Sequence, residues 1–192
     1  MKKSSLGTYV SKRDFRKTPE PRGRPLGRSG KPIYVIQKHD ASHLHYDFRL
    51  EVDGVLKSWS VPKGPSTDPR VRRLAVMTED HPMAYASFEG DIPKGEYGGG
   101  SVIVWDRGTF RNETVKDGKP VEAKTAVARG HVVFRLDGEK LHGGYSLTRM
   151  NERNWLLVKR KDAGADARRN PESSQPESVL TGRTVEEVAA GR

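Results

Sequence analysis

The stretch "HDASHLHYDFRLEV", residues 39–52, decides how this chain folds. From His43 onward the odd positions are His43, His45, Asp47, Arg49 and Glu51, and the even positions are Leu44, Tyr46, Phe48, Leu50 and Val52. Side chains alternate across a strand, so this period of two describes a half-buried β-strand with one apolar face and one ionisable face. A wet strand face is ordinary in an antiparallel sheet. Such faces are built mostly of Thr, Lys, Glu and Ser, however. Two histidines spaced with an aspartate and an arginine point instead to a metal or anion site.

Working outward, PIYVIQ, LKSWSV, RLAVMT, SVIVWDRGTF, HVVFRL, YSLTRM and NWLLVKR read as further short strands. Turn signals part them at Asp53-Gly54, Pro62-Lys63-Gly64-Pro65, Gly98-Gly99-Gly100, Asp117-Gly118 and Asp137-Gly138. Short strands separated by turns favour an antiparallel barrel or sandwich over a βαβ fold, so the fold class is mainly β. VEAKTAVARG, residues 121–130, predicts a short helix. GEYGGGS, residues 95–101, lacks the Lys-Ser/Thr of a phosphate-binding loop and opens a strand; it reads as a tight turn needing positive φ.

Three regions follow: an irregular, basic, Pro/Gly-rich arm at 1–32, a β body at 33–161, and a polar tail at 162–192 read as flexible and disordered. Within that tail, Thr184 and Glu187 have capping-box form and predict one short helix. The 192 residues carry a net charge of +10. Residues 1–31 hold ten lysines and arginines against two acids, leaving a nearly neutral remainder. A basic arm before such a body suggests a polyanion partner, most simply nucleic acid. There are no cysteines, hence no disulfide and no thiolate metal site. No apolar run approaches a membrane span and no secretory leader is apparent, so the expected location is cytoplasmic and nucleoid-associated, without a membrane partner.

Four of the six histidines fall within residues 39–81. His39, His45, Asp47 and His81 are the natural candidates for a site. A nitrogen, nitrogen, oxygen donor set without sulfur suits Mn²⁺, Fe²⁺, Co²⁺ or Zn²⁺. Two chemistries fit it: the two-His-one-carboxylate triad of non-haem iron oxygenases, with His81 as third ligand, and metal-assisted phosphoryl chemistry. Arg49, on the same strand face, offers a guanidinium fork for phosphate oxygens.

Several motifs together resemble a known family. KRDFRKTPEP, QKHDASHLHYDFRLEVDGVLKSWSVPKGPS, DHPMAYASFEGDIPKGEYGGGSVIVWDRGTF, FRLDGEKLHGGYSLTRM and NWLLVKRK are similar, in that order, to the 3′-phosphoesterase domain of bacterial DNA ligase D. The resemblance runs from about Lys12 to Lys161, with no segment like the ligase or polymerase modules. It implies a compact antiparallel β-barrel whose concave face holds one Mn²⁺, with Co²⁺ or Zn²⁺ as alternatives, beside a phosphate. His39, His45 and Asp47 are implied as metal ligands, and Arg49, His81 and Tyr85 as phosphate contacts. Gln37, Lys63 and Arg73 fall on motif positions around the site, and Arg13, Asp14 and Glu20 on the N-terminal element. The implied activity removes a 3′-terminal ribonucleoside as a phosphodiesterase and then the 3′-phosphate as a phosphomonoesterase, leaving a 3′-OH for nonhomologous end joining. The implied partners are DNA or RNA–DNA primer–template 3′ ends, together with an end-joining ligase or polymerase and an end-binding protein. His43 stands where the family pattern has a less metal-prone residue, and it is read as peripheral. A nucleic-acid-binding module with purely structural histidines is the non-catalytic alternative.

Overall fold

The structure, a computed structural model, describes residues 5–23 and 30–192. The arm's charges and prolines at 1–4 and 24–29 lie outside the described residues. The strands are β1 (Ile33–Asp40), β2 (Leu44–Val52), β3 (Val55–Val61), β4 (Arg72–Met77), β5 (His81–Pro82) and β6 (Gly90–Ile92), followed by β7 (Gly100–Asn112), β8 (Val115–Lys116), β9 (Lys119–Pro120), β10 (His131–Gly138), β11 (His142–Arg149) and β12 (Asn154–Lys159). Eight of them close into an antiparallel barrel in the order β1-β2-β3-β4-β12-β11-β10-β7, with β7 pairing back onto β1. These eight are the short strands read from the sequence between its turn signals. Closure leaves no free edge in the ring.

Local chemistry sets the corners. Asp53 and Gly54 both have positive φ, 58° and 79°, the two-residue turn that Asp-Gly favours between twisted strands. It pairs Val52 with Val55 and so fixes the register of β2 on β3. Inside the ring, Tyr34, Ile36, Phe48, Leu50, Trp59, Trp105, Phe134, Tyr145 and Trp155 form one continuous core. The predicted helix forms as α2 (Ala123–Arg129), seating Ala126 and Val127 on that core and ending at Gly130, whose φ is 84°.

Two expectations are corrected. First, the tail packs. Pro171 of the short helix α3 (Pro171–Ser174) is buried, and Trp105 Nε1 and Lys140 Nζ each donate to the Gln175 carbonyl at 2.8 Å. Val185 and Val188 of α4 (Val185–Ala189) then lie on Ile103. A few apolar anchors and two buried donors outweigh the polar average of the segment. Second, the arm is not wholly irregular: α1 (Gly7–Ser11) buries Tyr9 completely against a second cluster with Val35, Leu56, Tyr85, Phe88, Ile92, Val102 and Val104. That cluster lies outside the ring, on its outer wall.

No helix among the described residues is long and apolar enough to cross a membrane.

Candidate metal and phosphate site

The odd-numbered face of β2 points away from the barrel core and into a cavity of about 260 Å³ on the outer wall. The expected concave face is thus not the barrel interior. The hollow is made by the arm, by the segment around the 3₁₀ turn Met83–Ser87, and by the Gly95–Gly100 loop, all folded over the outside of β1, β2 and β3.

Register assembles the ligands. β1 pairs with β2 so that His39 faces His45 and Gln37 faces Asp47. Directly opposed residues carry their Cβ atoms about 5 Å apart and diagonal ones remain within reach of long side chains. Donor atoms of His39, His45 and Asp47 consequently all lie within 4.8 Å of one another. His39 Nδ1 and His45 Nε2 each approach Asp47 Oδ2 at 3.5 Å. The second nitrogen of each ring is already engaged: His39 Nε2 donates to the Gly98 carbonyl at 2.8 Å, and His45 Nδ1 to the His43 carbonyl at 3.0 Å. Those backbone acceptors fix the tautomers and leave one lone pair on each ring free for a cation. Two ligand atoms about 2.1 Å from one ion sit about 3.4 Å apart in a tetrahedral arrangement, close to the two histidine–aspartate separations of 3.5 Å. The residues therefore fit a divalent cation. Burial would raise the Asp47 carboxyl, but Arg49 and the two imidazoles hold it well below the usual carboxylate range. Burial would likewise lower His45, and its contact with Asp47 outweighs this and raises it.

Beside the trio stands Arg49, 2% exposed. Its Nε donates to Gln37 Oε1 at 2.8 Å and its Nη1 to Ser58 Oγ at 2.9 Å, while Nη2 lies 3.4 Å from Asp47 Oδ2. Gln37 is anchored in turn by donating to the Tyr85 and Phe88 carbonyls. His81 donates from Nδ1 to the Glu79 carbonyl at 2.9 Å and presents Nε2 to Arg13 Nη2 at 3.4 Å. Its burial, reinforced by Arg49 and Arg13, pushes the imidazole well below 6.5, so the ring is neutral in the free site. The Tyr85 hydroxyl donates to Glu20 Oε1 at 2.8 Å, and burial raises its pKa far above the phenol value. Arg13 Nε holds the same carboxylate oxygen at 2.9 Å. Arm residues Arg13 and Glu20 thereby become one wall of the site.

The structure brings together His39, His45, Asp47, Arg49, Gln37, His81, Tyr85, Arg13 and Glu20. Three expected residues stand apart. Asp14 turns outward and pairs with Arg16 at 2.9 Å. Lys63 is exposed in the turn after β3 and does not line the cavity. Arg73 shares the inward parity of Ala75 on β4, where Glu172 of the tail is its electrostatic neighbour. His81 is not in the ligand group, so the oxygenase triad of His45, Asp47 and His81 is not assembled. The His43 ring does not join the group either. Sequence reasoning missed Ser58, Glu79 and Tyr97. Ser58 and Ser60 share the polar parity of LKSWSV, which was the available signal. Glu79 sits in TED before His81, where only the folded arm gives it a role: it receives Lys12 at 3.1 Å and Arg13 at 3.3 Å.

Residues 37–149 match the family model described as the DNA Ligase D 3′-phosphoesterase domain. The chain is 52% identical over 188 residues, 94% of its length, to the multifunctional non-homologous end joining protein LigD of Pseudomonas aeruginosa. It is 45% identical over 159 residues, 82% of its length, to the corresponding non-homologous end joining DNA repair protein of Mycobacterium tuberculosis. It spans 22% and 20% of those two proteins, about a fifth of the length of the curated relatives it matches. With the barrel, the His-His-Asp group and this match over more than half the chain in agreement, the chain belongs to the DNA ligase D 3′-phosphoesterase domain family.

Proposed function

We propose that the protein is a Mn²⁺-dependent phosphoesterase that heals DNA 3′ ends, removing a 3′-terminal ribonucleoside and then the 3′-phosphate to leave a 3′-OH for ligation. The observation that carries this reading is the convergence of His39 Nδ1, His45 Nε2 and Asp47 Oδ2 beside a buried, fully oriented Arg49. His39, His45 and Asp47 would hold the ion, with Co²⁺ or Zn²⁺ able to replace Mn²⁺. When bound, the ion supplies Lewis acidity toward a nonbridging phosphate oxygen.

The chain's own groups do the rest. Gln37 and Ser58 fix the Arg49 guanidinium before substrate arrives, so its free edge meets developing charge on the phosphoryl oxygens without reorganisation. A phosphate entering beside Arg49 and Arg13 offsets the positive charges that help depress His81. His81 then takes up a proton and offers it, through Nε2, to the phosphate or the leaving oxygen. Tyr85 and Arg13 share Glu20, which couples the arm to the reaction face. Lys63, Arg73 and Asp14 act from outside the cavity, through the segments they belong to. The substrates are DNA or RNA–DNA primer–template ends; the family context adds an end-joining ligase or polymerase and an end-binding protein as partners.

The test is a labelled primer ending in one 3′ ribonucleotide, annealed to template and incubated with Mn²⁺, beside chelator and Asp47→Ala controls. Shortening to a 3′-phosphate and then to a 3′-OH, lost in both controls, is the expected result. If this end and a plain 3′-phosphate end both survive across several divalent metals, the reading is wrong.

A further inference from the structure

The Gly-rich loop has a role beyond making a turn. Gly95, Gly98 and Gly100 all have positive φ, at 93°, 77° and 138°. Backbone bonds Glu96 N to Pro93 O, 3.1 Å, and Gly99 N to Glu96 O, 3.0 Å, lock the loop across its tip. One side of that tip, the Gly98 carbonyl, holds the ligand imidazole of His39. The next residue back, Tyr97, lines the same cavity yet keeps 45% of its surface exposed. It is one of few large apolar side chains left open among the described residues, and the one that lines this cavity.

Tyr97 is also held still. Lys12 Nζ donates to its hydroxyl at 3.1 Å and lies 4.6 Å from the ring centroid, and Arg13 lies 5.3 Å from that centroid. The hydroxyl itself reaches Glu79 Oε2 at 3.4 Å. An aromatic ring of fixed orientation, flanked by cations and open at the rim of a phosphate-sized cavity, is the arrangement that recognises a nucleobase by stacking. A scissile phosphate at a 3′ end always has the primer's terminal base on one side, and on a ribonucleotide end it has the departing base on the other.

We propose that Tyr97 is a nucleobase platform, stacking on a base adjacent to the scissile 3′ phosphate and so positioning that phosphate over His39, His45, Asp47 and Arg49. This rests on the phosphoesterase reading above. A stacking platform selects an end bearing a base over an abasic one and is indifferent to which base is present, as suits an enzyme meeting arbitrary ends. The base belongs either to the departing ribonucleoside or to the nucleotide that stays on the primer.

The test is binding first, so that it stands whether or not turnover occurs. A primer–template carrying 2-aminopurine as its 3′-terminal ribonucleotide, or at the penultimate position, is titrated with the full chain in chelator. Quenching at one position, lost in Tyr97→Ala and kept in Tyr97→Phe and Tyr97→Trp, is expected. No quenching at either position by the wild-type protein, or Tyr97→Phe failing as fully as Tyr97→Ala, overturns the proposal; the second result would assign Tyr97 to the Lys12–Glu79 network. Kinetics with Mn²⁺ then identify the base. Tyr97→Ala raises KM roughly ten-fold, near the low end of what stacking one base contributes. A rise confined to the ribonucleotide end marks the departing nucleoside, and an equal rise on a 3′-phosphate end marks the primer's own base. An unchanged KM on both ends refutes the platform. A wild-type protein inert on both ends refutes the phosphoesterase reading instead, and leaves the quenching result to decide the platform.

Discussion

His81 sits 5% exposed between two arginines, with its Nδ1 proton given to a backbone carbonyl. Burial acts first, and Arg49 and Arg13 add to it, so the folded chain holds its pKa well below the ordinary 6.5. In the unfolded chain the ring titrates near that ordinary value. As pH falls below about 6.5, the unfolded state takes up a proton that the native state refuses, and the equilibrium shifts toward unfolding. The contribution is therefore full above the unfolded pKa and lost on acidification toward the native one. Thermal melts at about pH 7.5 and about pH 5.5 check this: the drop in Tm is expected to be smaller in His81→Gln than in the wild-type protein. Equal drops would mean that His81 is protonated in the folded site. Residue by residue, alternation in residues 43–52 was enough to place His45, Asp47 and Arg49 on one face. Arg73 was named by the family motif and not by alternation, since RLAVMT carries apolar residues at both parities and no period marks its face. Ala75 and Arg73 face inward there while Leu74 is left 45% exposed.

Elements were legible where a strong period or a turn dipeptide marked them, and obscure where a few anchors act across long polar stretches. β2 was of the first kind by its period, and the other ring strands were read as short strands from the turns that separate them. The tail was of the second: AGADARRNPESSQPES averages as a soluble linker, yet its backbone receives Trp105 and Lys140, and α4 follows to cover Ile103. α4 has five residues, too short to hold by itself, and its start is secured by the predicted capping box. The Glu187 amide donates to Thr184 Oγ1 at 3.3 Å and the Thr184 amide to Glu187 Oε2 at 2.8 Å. Thr184→Ala removes one of these bonds, at a cost of about 1 kcal/mol. The expected result is faster amide hydrogen exchange across residues 185–190 while β1, β2 and β3 keep their protection. Loss of protection throughout the barrel would instead make the strap part of the global folding unit. The arm hid part of its role: the resemblance marked Arg13, which lines the cavity and holds Glu20 beside His81, but nothing marked Tyr9, which packs edge-to-face against Tyr85 and His81.

For the molecule as a whole, chemistry and scaffold divide along the chain. Every residue lining the cavity comes from Arg13 to Gly98, while β10, β11 and β12 supply none. Those three strands bridge β7 to β4 and close the ring behind the site. The sequence announced a barrel's worth of strands but not this partition, because pairing between β4 and β12 is non-local and leaves no short-range mark. The division has a consequence for how the protein can be cut. The Asp117-Gly118 turn is exposed and joins two short exposed strands, β8 and β9, outside the ring. Severed there, the chain would yield one fragment that owns all the reactive groups and another that owns none. The first fragment alone leaves β4 and β7 with unpaired edges and is expected to be inert and aggregation-prone. Mixed with the second, it should regain divalent-metal binding and turnover in proportion to complex formed, so that catalysis itself reports on whether two polypeptides have met.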